Sequence, residues 1–100
     1  MWDTYTLLVR FILSRLRHVG SLVALAIGDA LGAPLEGSRK PEVWLAEFRS
    51  GGRHFRKKGE FTDDTLQAIA VAESLVVCRG FNEIDLVRKL SHSYIVRPEW

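Results

Sequence analysis

The chain has 100 residues, of which 47% are apolar and 26% charged, and its formal net charge is +2. That length allows one domain or part of one, and so small a net charge names no partner class. The single cysteine, Cys78, excludes an internal disulfide bond, so a reducing, cytoplasmic setting is expected.

The first predicted element is a long helix from about residue 4 to residue 31. Apolar residues recur there at the three- and four-residue spacing of an amphipathic helix, at positions Leu8, Phe11, Ile12 and Leu16. From residue 19 to residue 31 nearly every side chain is apolar or small, and a helix that is apolar all round is usually buried all round. Pro34 is expected to end it.

Three further helices are predicted, so the fold class is all-α. One spans about 41 to 51, with a proline in its first turn and a glycine pair at its end. The next spans about 63 to 79, with Gly80 as its C-terminal stop. The last begins after Asn82, which caps it with Asp85 as the reciprocal partner three residues on.

Neither membranes nor nucleic acids are expected as partners. Residues 19 to 33 are too short to span a bilayer and carry Asp29, and the Met-Trp-Asp start lacks the basic character of a signal peptide. The basic stretch between residues 49 and 58 is interpreted as a solvated loop. The weaker alternative is that it binds a phosphate-bearing ligand or nucleic acid.

Thr62, Asp63 and Asp64 place three oxygen donors side by side at the start of the third helix. Helix capping explains one or two such residues, because hydroxyl and carboxylate oxygens accept hydrogen bonds from the free N–H groups of a first turn. Two adjacent carboxylates exceed that need, and a dication would neutralise their repulsion. Oxygen ligands of this kind suit magnesium, manganese or calcium. Both interpretations remain open on the pattern alone.

Two more carboxylates lie in or next to the long apolar helix. Glu36 follows it in a Gly/Pro-rich turn and is interpreted either as a surface acid or as a general acid/base. Asp29 lies between Gly28 and Ala30 in an otherwise uncharged segment, where a buried carboxylate needs hydrogen bonds. It is expected to bond backbone N–H groups of the 32 to 37 turn or to support a metal from behind its ligands.

Two blocks together resemble the ADP-ribosylglycohydrolase family: Gly-Asp-Ala-Leu-Gly-Ala-Pro-Leu-Glu at 28–36 and Gly-Glu-Phe-Thr-Asp-Asp-Thr at 59–65. The resemblance implies an orthogonal all-α helix bundle with a binuclear Mg²⁺ or Mn²⁺ centre. It also implies site roles, with Thr62, Asp63 and Asp64 as metal ligands and Glu36 as the catalytic acid/base. Asp29 and Thr65 are expected to support these residues from behind or to hold the fold. The implied reaction is hydrolysis of the glycosidic bond between ADP-ribose and a protein side chain or small acceptor.

The family's second acidic block, Asp-x-Asp-Ser/Thr, has no counterpart after Asp64. The chain is therefore expected to be a single partial domain over 1–100, with an N-terminal extension at 1–16 and the N-terminal family segment at 17–100. The alternative function is a non-catalytic helical fragment or pseudoenzyme module. In both cases the chain is expected to self-associate or to require a second polypeptide, because three other helices cannot cover the apolar helix at 19 to 31. Leu25 and Ile27 are expected at that contact.

Overall fold

A computed structural model of the chain describes residues 3–37, 47–52 and 54–96. These residues contain three α-helices, with a 3₁₀ turn at Ala33–Leu35 directly after the first: α1 at Thr4–Gly32, α2 at Asp63–Val77 and α3 at Glu83–Val96. Strand-like pairing within the described ranges is limited to one isolated antiparallel bridge between Gly51 and Arg56. The all-α prediction is confirmed.

Helix α1 is continuous over 29 residues, without a break near residue 16. It begins where the Asp3 side chain accepts a hydrogen bond from the backbone N–H of Thr6 at 2.7 Å. It ends in the 3₁₀ turn, whose first two residues include Pro34. A proline suits that position, because its fixed φ fits the start of a helical turn and its missing N–H is not needed there.

The span Thr4–Leu35 is long and apolar enough to cross a membrane by length and composition. Residues 19 to 33 alone are too short to span a bilayer, but the whole of α1 is not. The core helix of a soluble protein and a signal sequence near the N-terminus pass the same test. In addition, Asp29 near the end of α1 is hydrogen-bonded to the start of α2. Length and composition alone therefore do not assign α1 to a bilayer.

Helix α2 ends two residues earlier than predicted, at Val77, in a Schellman arrangement. The N–H of Gly80 donates to the carbonyl of Leu75 at 3.0 Å, and the N–H of Arg79 donates to the carbonyl of Val76 at 3.3 Å. Arg79 takes the left-handed conformation, with φ of 54°. The glycine therefore follows the left-handed residue instead of occupying it, although the stop itself lies where the sequence predicts it.

The two remaining helix predictions have different outcomes. Asn82 caps α3, since its Oδ1 accepts a hydrogen bond from the N–H of Asp85 at 2.9 Å. Of the helix predicted at 41 to 51, residues 41–46 lie outside the described ranges, and residues 47–51 are not helical. That end of the prediction is wrong. Gly51 and Gly52 have φ of 112° and 83°, values that belong to a turn.

Helix α2 contacts both α1 and α3, and the tight packing is limited to small residues. The buried apolar side chains among the described residues are Ala30, Ala33 and Ala70. The radius of gyration is 17.5 Å, against about 13 Å for a compact 100-residue domain. The accessible surface is 8314 Å², against about 5,700 Å² for a compact chain of this mass. The helices therefore form an open arrangement with much apolar surface in water.

Candidate functional site

The site is built around the carboxylate of Asp29, on the last turn of α1. It accepts four hydrogen bonds from two threonines at the start of α2. Thr62 donates through its N–H at 2.8 Å and its hydroxyl at 2.7 Å. Thr65 donates through its N–H at 3.2 Å and its hydroxyl at 2.6 Å. These partners lie in α2, so the expectation that Asp29 bonds the 32 to 37 turn is wrong.

Helix chemistry explains why a carboxylate is held at this point. The first N–H groups of a helix have no partner within the helix, and the partial positive charge of that end favours an anion. Thr62 and Thr65 are 0% and 4% exposed, so their polar atoms need partners inside the protein. Asp29 supplies those partners and joins α1 to α2.

The protonation of Asp29 follows from the same contacts. Burial disfavours the charged form and by itself would raise the pKa of this carboxyl. The hydrogen bonds from Thr65 and Thr62 act in the opposite direction, and together they hold the pKa below its ordinary value of 3.8. Asp29 is therefore an anion at neutral pH.

The three consecutive donors at 62–64 do not point to one place. The Thr62 hydroxyl donates to Asp29 and accepts from the N–H of Asp64 at 3.4 Å, which makes it the N-cap of α2. Asp63 accepts a hydrogen bond from the side-chain amide of Gln67 at 3.3 Å, one turn along the helix. Asp64 is exposed. Neighbouring residues of a helix project about 100° apart, which accounts for the different surroundings of the two aspartates.

Asp64 instead approaches two carboxylates from other elements. One oxygen each from Asp29, Glu36 and Asp64 lies within 4.8 Å of the other two. Glu36 is brought there by the 3₁₀ turn, since its N–H donates to the carbonyl of Ala33 at 3.3 Å. Three carboxylates this close repel one another unless a cation or a proton lies between them.

The members of this carboxylate group differ in what they can still bind. Asp29 Oδ2 accepts three of the four hydrogen bonds and Oδ1 accepts one, so Oδ1 keeps one of its two lone pairs. The Glu36 and Asp64 carboxylates make no hydrogen bond with other described residues. Glu36 and Asp64 therefore have the most oxygen lone pairs available to a cation, whereas Asp29 mainly holds the two threonines.

The sequence pointed to every member of this group, and the family resemblance implied one site for Asp64 and Glu36, but the contact between Asp29 and Thr62 was not predicted. Asp29 and Thr62 are 33 positions apart, and no spacing rule connects them. The available signal was the isolated charge of Asp29 in an apolar helix, which implied a partner without naming it.

Most of the chain is similar in sequence to known proteins. A sequence profile described as ADP-ribosylglycohydrolase matches residues 13–99. An ADP-ribosylarginine hydrolase of Serratia proteamaculans is 42% identical over 70 residues, which cover 70% of this chain and 19% of that protein. The ADP-ribosyl-[dinitrogen reductase] glycohydrolase of Rhodospirillum rubrum is 39% identical over 87 residues, covering 82% of this chain and 30% of that protein.

A more distant relative is an ADP-ribosylhydrolase of Gallus gallus, 29% identical over 94 residues that cover 82% of this chain and 26% of that protein. The chain thus spans less than a third of the length of each of these relatives. No solved structure matches it.

The Asp29→Asn variant is expected to lose about 3 kcal/mol of unfolding free energy, because the amide nitrogen cannot accept and buried donors are left unpaired. Urea titration followed by circular dichroism at pH 7 measures the loss. Asp3→Asn is the matched control, since Asp3 accepts one exposed bond at a helix start and asparagine caps equally well. Equal losses in the two variants would contradict the central role of Asp29.

Wild type and Asp29→Asn should also differ in how their stability depends on pH. Because the folded-state pKa of Asp29 is lowered, its contribution to stability is present above the ordinary value and is lost as the pH falls through the folded-state value. The wild-type urea midpoint should therefore fall more between pH 7 and pH 3 than that of Asp29→Asn. Parallel declines would show that another group controls acid unfolding.

Proposed function

This chain belongs to the ADP-ribosylglycohydrolase family, and from that premise we propose that it forms part of a metal-dependent hydrolase site. The proposed reaction cleaves the glycosidic bond between ADP-ribose and a protein side chain or small acceptor. The proposal depends on one observation: carboxylates of Asp29, Glu36 and Asp64 converge from α1, the 3₁₀ turn and α2.

The proposed substrate class comes from the relatives. By their names, they hydrolyse ADP-ribosylarginine and the ADP-ribosyl group of dinitrogen reductase. An ADP-ribosylated protein, or a small molecule containing ADP-ribose, is therefore the substrate we propose for the complete protein. We further propose that the protein acts in the cytoplasm, without a membrane or nucleic-acid partner.

The donor set suits a hard dication such as Mg²⁺ or Mn²⁺, because it consists of carboxylate and hydroxyl oxygens. We propose Asp64 as a ligand, with Thr62 and Asp63 as the neighbouring ligands of a binuclear centre. The contact with Asp29 supports Thr62 in this role, since the hydroxyl proton is directed at Asp29. One hydroxyl lone pair accepts from the N–H of Asp64, and the other is left for a ligand bond. When bound, such an ion lowers the pKa of a coordinated water and orients ribose hydroxyls.

Glu36 is the residue we propose to move the proton. Cleavage of a glycosidic bond passes through an oxocarbenium-like state, in which a carboxylate either takes a proton from the attacking water or gives one to the leaving group. Glu36 is half-buried beside Asp64, and its carboxylate makes no competing hydrogen bond with other described residues. Both properties suit an acid/base group at the edge of a metal centre.

The described residues supply too few ligands for a tight centre, since magnesium takes about six. The relatives are more than three times as long as the matched region. We therefore propose that the remaining carboxylates come from the rest of the family domain, on this or on a second polypeptide. The alternative function, a non-catalytic module that needs a partner, applies if that half of the site is never supplied.

The exposed apolar surface supports the need for such a partner. Leu25 and Ile27 on α1 are 41% and 45% exposed, and a groove between α1 and α2 is lined mainly by apolar side chains such as Leu22, Phe61 and Ile69. Apolar surface in water is unfavourable by about 25 cal/mol per Å². Helices from the missing part of the domain, or from a second copy, would remove it from water.

Metal binding by the isolated chain is expected to be weak, and Asp64→Asn should weaken it by about tenfold, since one of few ligands is lost. Asp63→Asn should also weaken it. Titration with Mn²⁺, followed by water proton relaxation, gives the affinities. Glu73→Gln removes an exposed charge elsewhere on α2 and serves as control. Identical affinities for wild type and Asp64→Asn would argue against the site.

Hydrolysis by the purified 100-residue chain is expected to be near zero, because part of the ligand set is missing. Release of ADP-ribose from ADP-ribosylarginine is the assay. After addition of a C-terminal segment that carries the second acidic block, Glu36→Gln should lower kcat more than it raises KM, with Glu83→Gln as control. A change confined to KM would make Glu36 a binding residue, and robust activity without the segment would refute the partial-site proposal.

Self-association or aggregation of the isolated chain is expected from its apolar surface. Sedimentation velocity over a concentration series measures it, together with binding of a dye that reports exposed apolar surface. The double variant Leu25→Gln, Ile27→Gln should associate less, whereas Phe81→Ser, which changes an exposed aromatic at the α2–α3 connection, should not. A well-folded wild-type monomer at high concentration that binds no dye would contradict the expectation.

A further inference from the structure

The loop that precedes α2 touches the 3₁₀ turn at one point, through Gly52. A Cβ atom built on Gly52 would lie 2.8 Å from both the Cα and the carbonyl carbon of Pro34, and closer still to the carbonyl oxygen. Real Cβ atoms essentially never come that close to backbone atoms. The backbone of residue 52 therefore lies directly against the backbone of Pro34, and only glycine leaves room for this contact.

Local hydrogen bonds fix Gly52 from the other side. Gly51 and Arg56 exchange two backbone hydrogen bonds, of 2.8 and 3.0 Å, and the N–H of Phe55 donates to the carbonyl of Gly52 at 3.2 Å. Arg56 is 5% exposed, so the base of this small turn is packed against the protein. Gly52 is thus held in place by a hydrogen-bonded turn.

Pro34 lies inside the turn that carries Glu36. The N–H of Glu36 donates to the carbonyl of Ala33, so the backbone of Pro34 forms part of the ring closed by that bond. Ala33 is 3% exposed and anchors the start of the turn. Contact with Gly52 restrains the turn from the outside, two residues before the carboxylate that lies near Asp29 and Asp64.

We propose that Gly52 is a positioning residue for Glu36, an inference that rests on the proposed function of Glu36 as the acid/base group. The loop is attached to the end of α1 at two places, through Gly52 on Pro34 and through Thr62 on Asp29. The first attachment sets the position of the Glu36 carboxylate, and the second sets the start of α2 and hence Asp64. Displacing Pro34 would move one carboxylate of the group relative to the other two.

Gly59 provides a matched control for a test. It has φ of +78°, close to the +83° of Gly52, but no atom lies within 4 Å of the Cβ that an alanine would add. Gly52→Ala and Gly59→Ala therefore both place an alanine at a positive φ of similar size, which alanine rarely adopts, and only Gly52→Ala pushes on Pro34. A difference between the two variants isolates the contact from the cost of a left-handed alanine.

The experiment compares wild type, Gly52→Ala and Gly59→Ala by ¹H–¹⁵N spectra and by Mn²⁺ titration. Gly52→Ala is expected to shift the amide signals of Leu35, Glu36 and Gly37, to change the Mn²⁺-induced relaxation at Glu36, and to weaken Mn²⁺ binding by about tenfold. Gly59→Ala is expected to leave all three as in wild type. Equal behaviour of the two variants at residues 35–37 would overturn the proposal.

Two further outcomes remain distinguishable. If wild type binds no Mn²⁺, the proposed metal site fails, while the amide shifts still decide the role of Gly52. If Gly52→Ala loses its helical circular dichroism, the test is made on the wild-type chain. A nuclear Overhauser effect between the Gly52 and Pro34 Hα protons and slow exchange of the Glu36 amide are then expected. Exchange of that amide as fast as the exposed Ser50 amide would overturn the proposal.

Discussion

The structure depends on one half-buried anion. The Asp29 carboxylate accepts four hydrogen bonds from Thr62 and Thr65 at the start of α2. It connects two helices whose buried apolar side chains, among the described residues, are alanines. Charge-assisted hydrogen bonds are stronger than neutral ones, so this contact fixes the register between α1 and α2 where the apolar core is too small to do so. The position of Asp64 relative to Glu36 follows from that register.

The arrangement gives the three carboxylates different tasks. Asp29 accepts four hydrogen bonds from two threonines, in keeping with the supporting role that the sequence suggested for it. Asp64 and Glu36 keep their lone pairs available within 4.8 Å of it. The contacts of Asp29 thus orient the hydroxyl groups beside the carboxylates that are open to a cation. Membership of the ADP-ribosylglycohydrolase family makes hydrolysis of a glycosidic bond the reaction that we propose for this group of carboxylates.

Local features were predictable and long-range ones were not. Asn82 as a cap, Pro34 near the end of α1 and the stop at Gly80 follow from the chemistry of a few neighbouring residues. The helix prediction was wrong over 47–51, where Gly51 and Gly52 have positive φ and Gly51 is bridged to Arg56. The family resemblance implied that Glu36 and Asp64 share one site. The residue pattern alone could not bring them together, since their distance depends on how a 3₁₀ turn ends and on the packing of two helices across a loop.

The 33-residue separation of Asp29 and Thr62 has a kinetic consequence. Helices α2 and α3 are joined by a short connection and can pair early, because closing a short loop costs little entropy. Docking of α1 onto α2 must close the long loop first, and non-local contacts of this kind form late and slowly. We therefore expect the group formed by Asp29, Glu36 and Asp64 to assemble after α2 and α3 have paired.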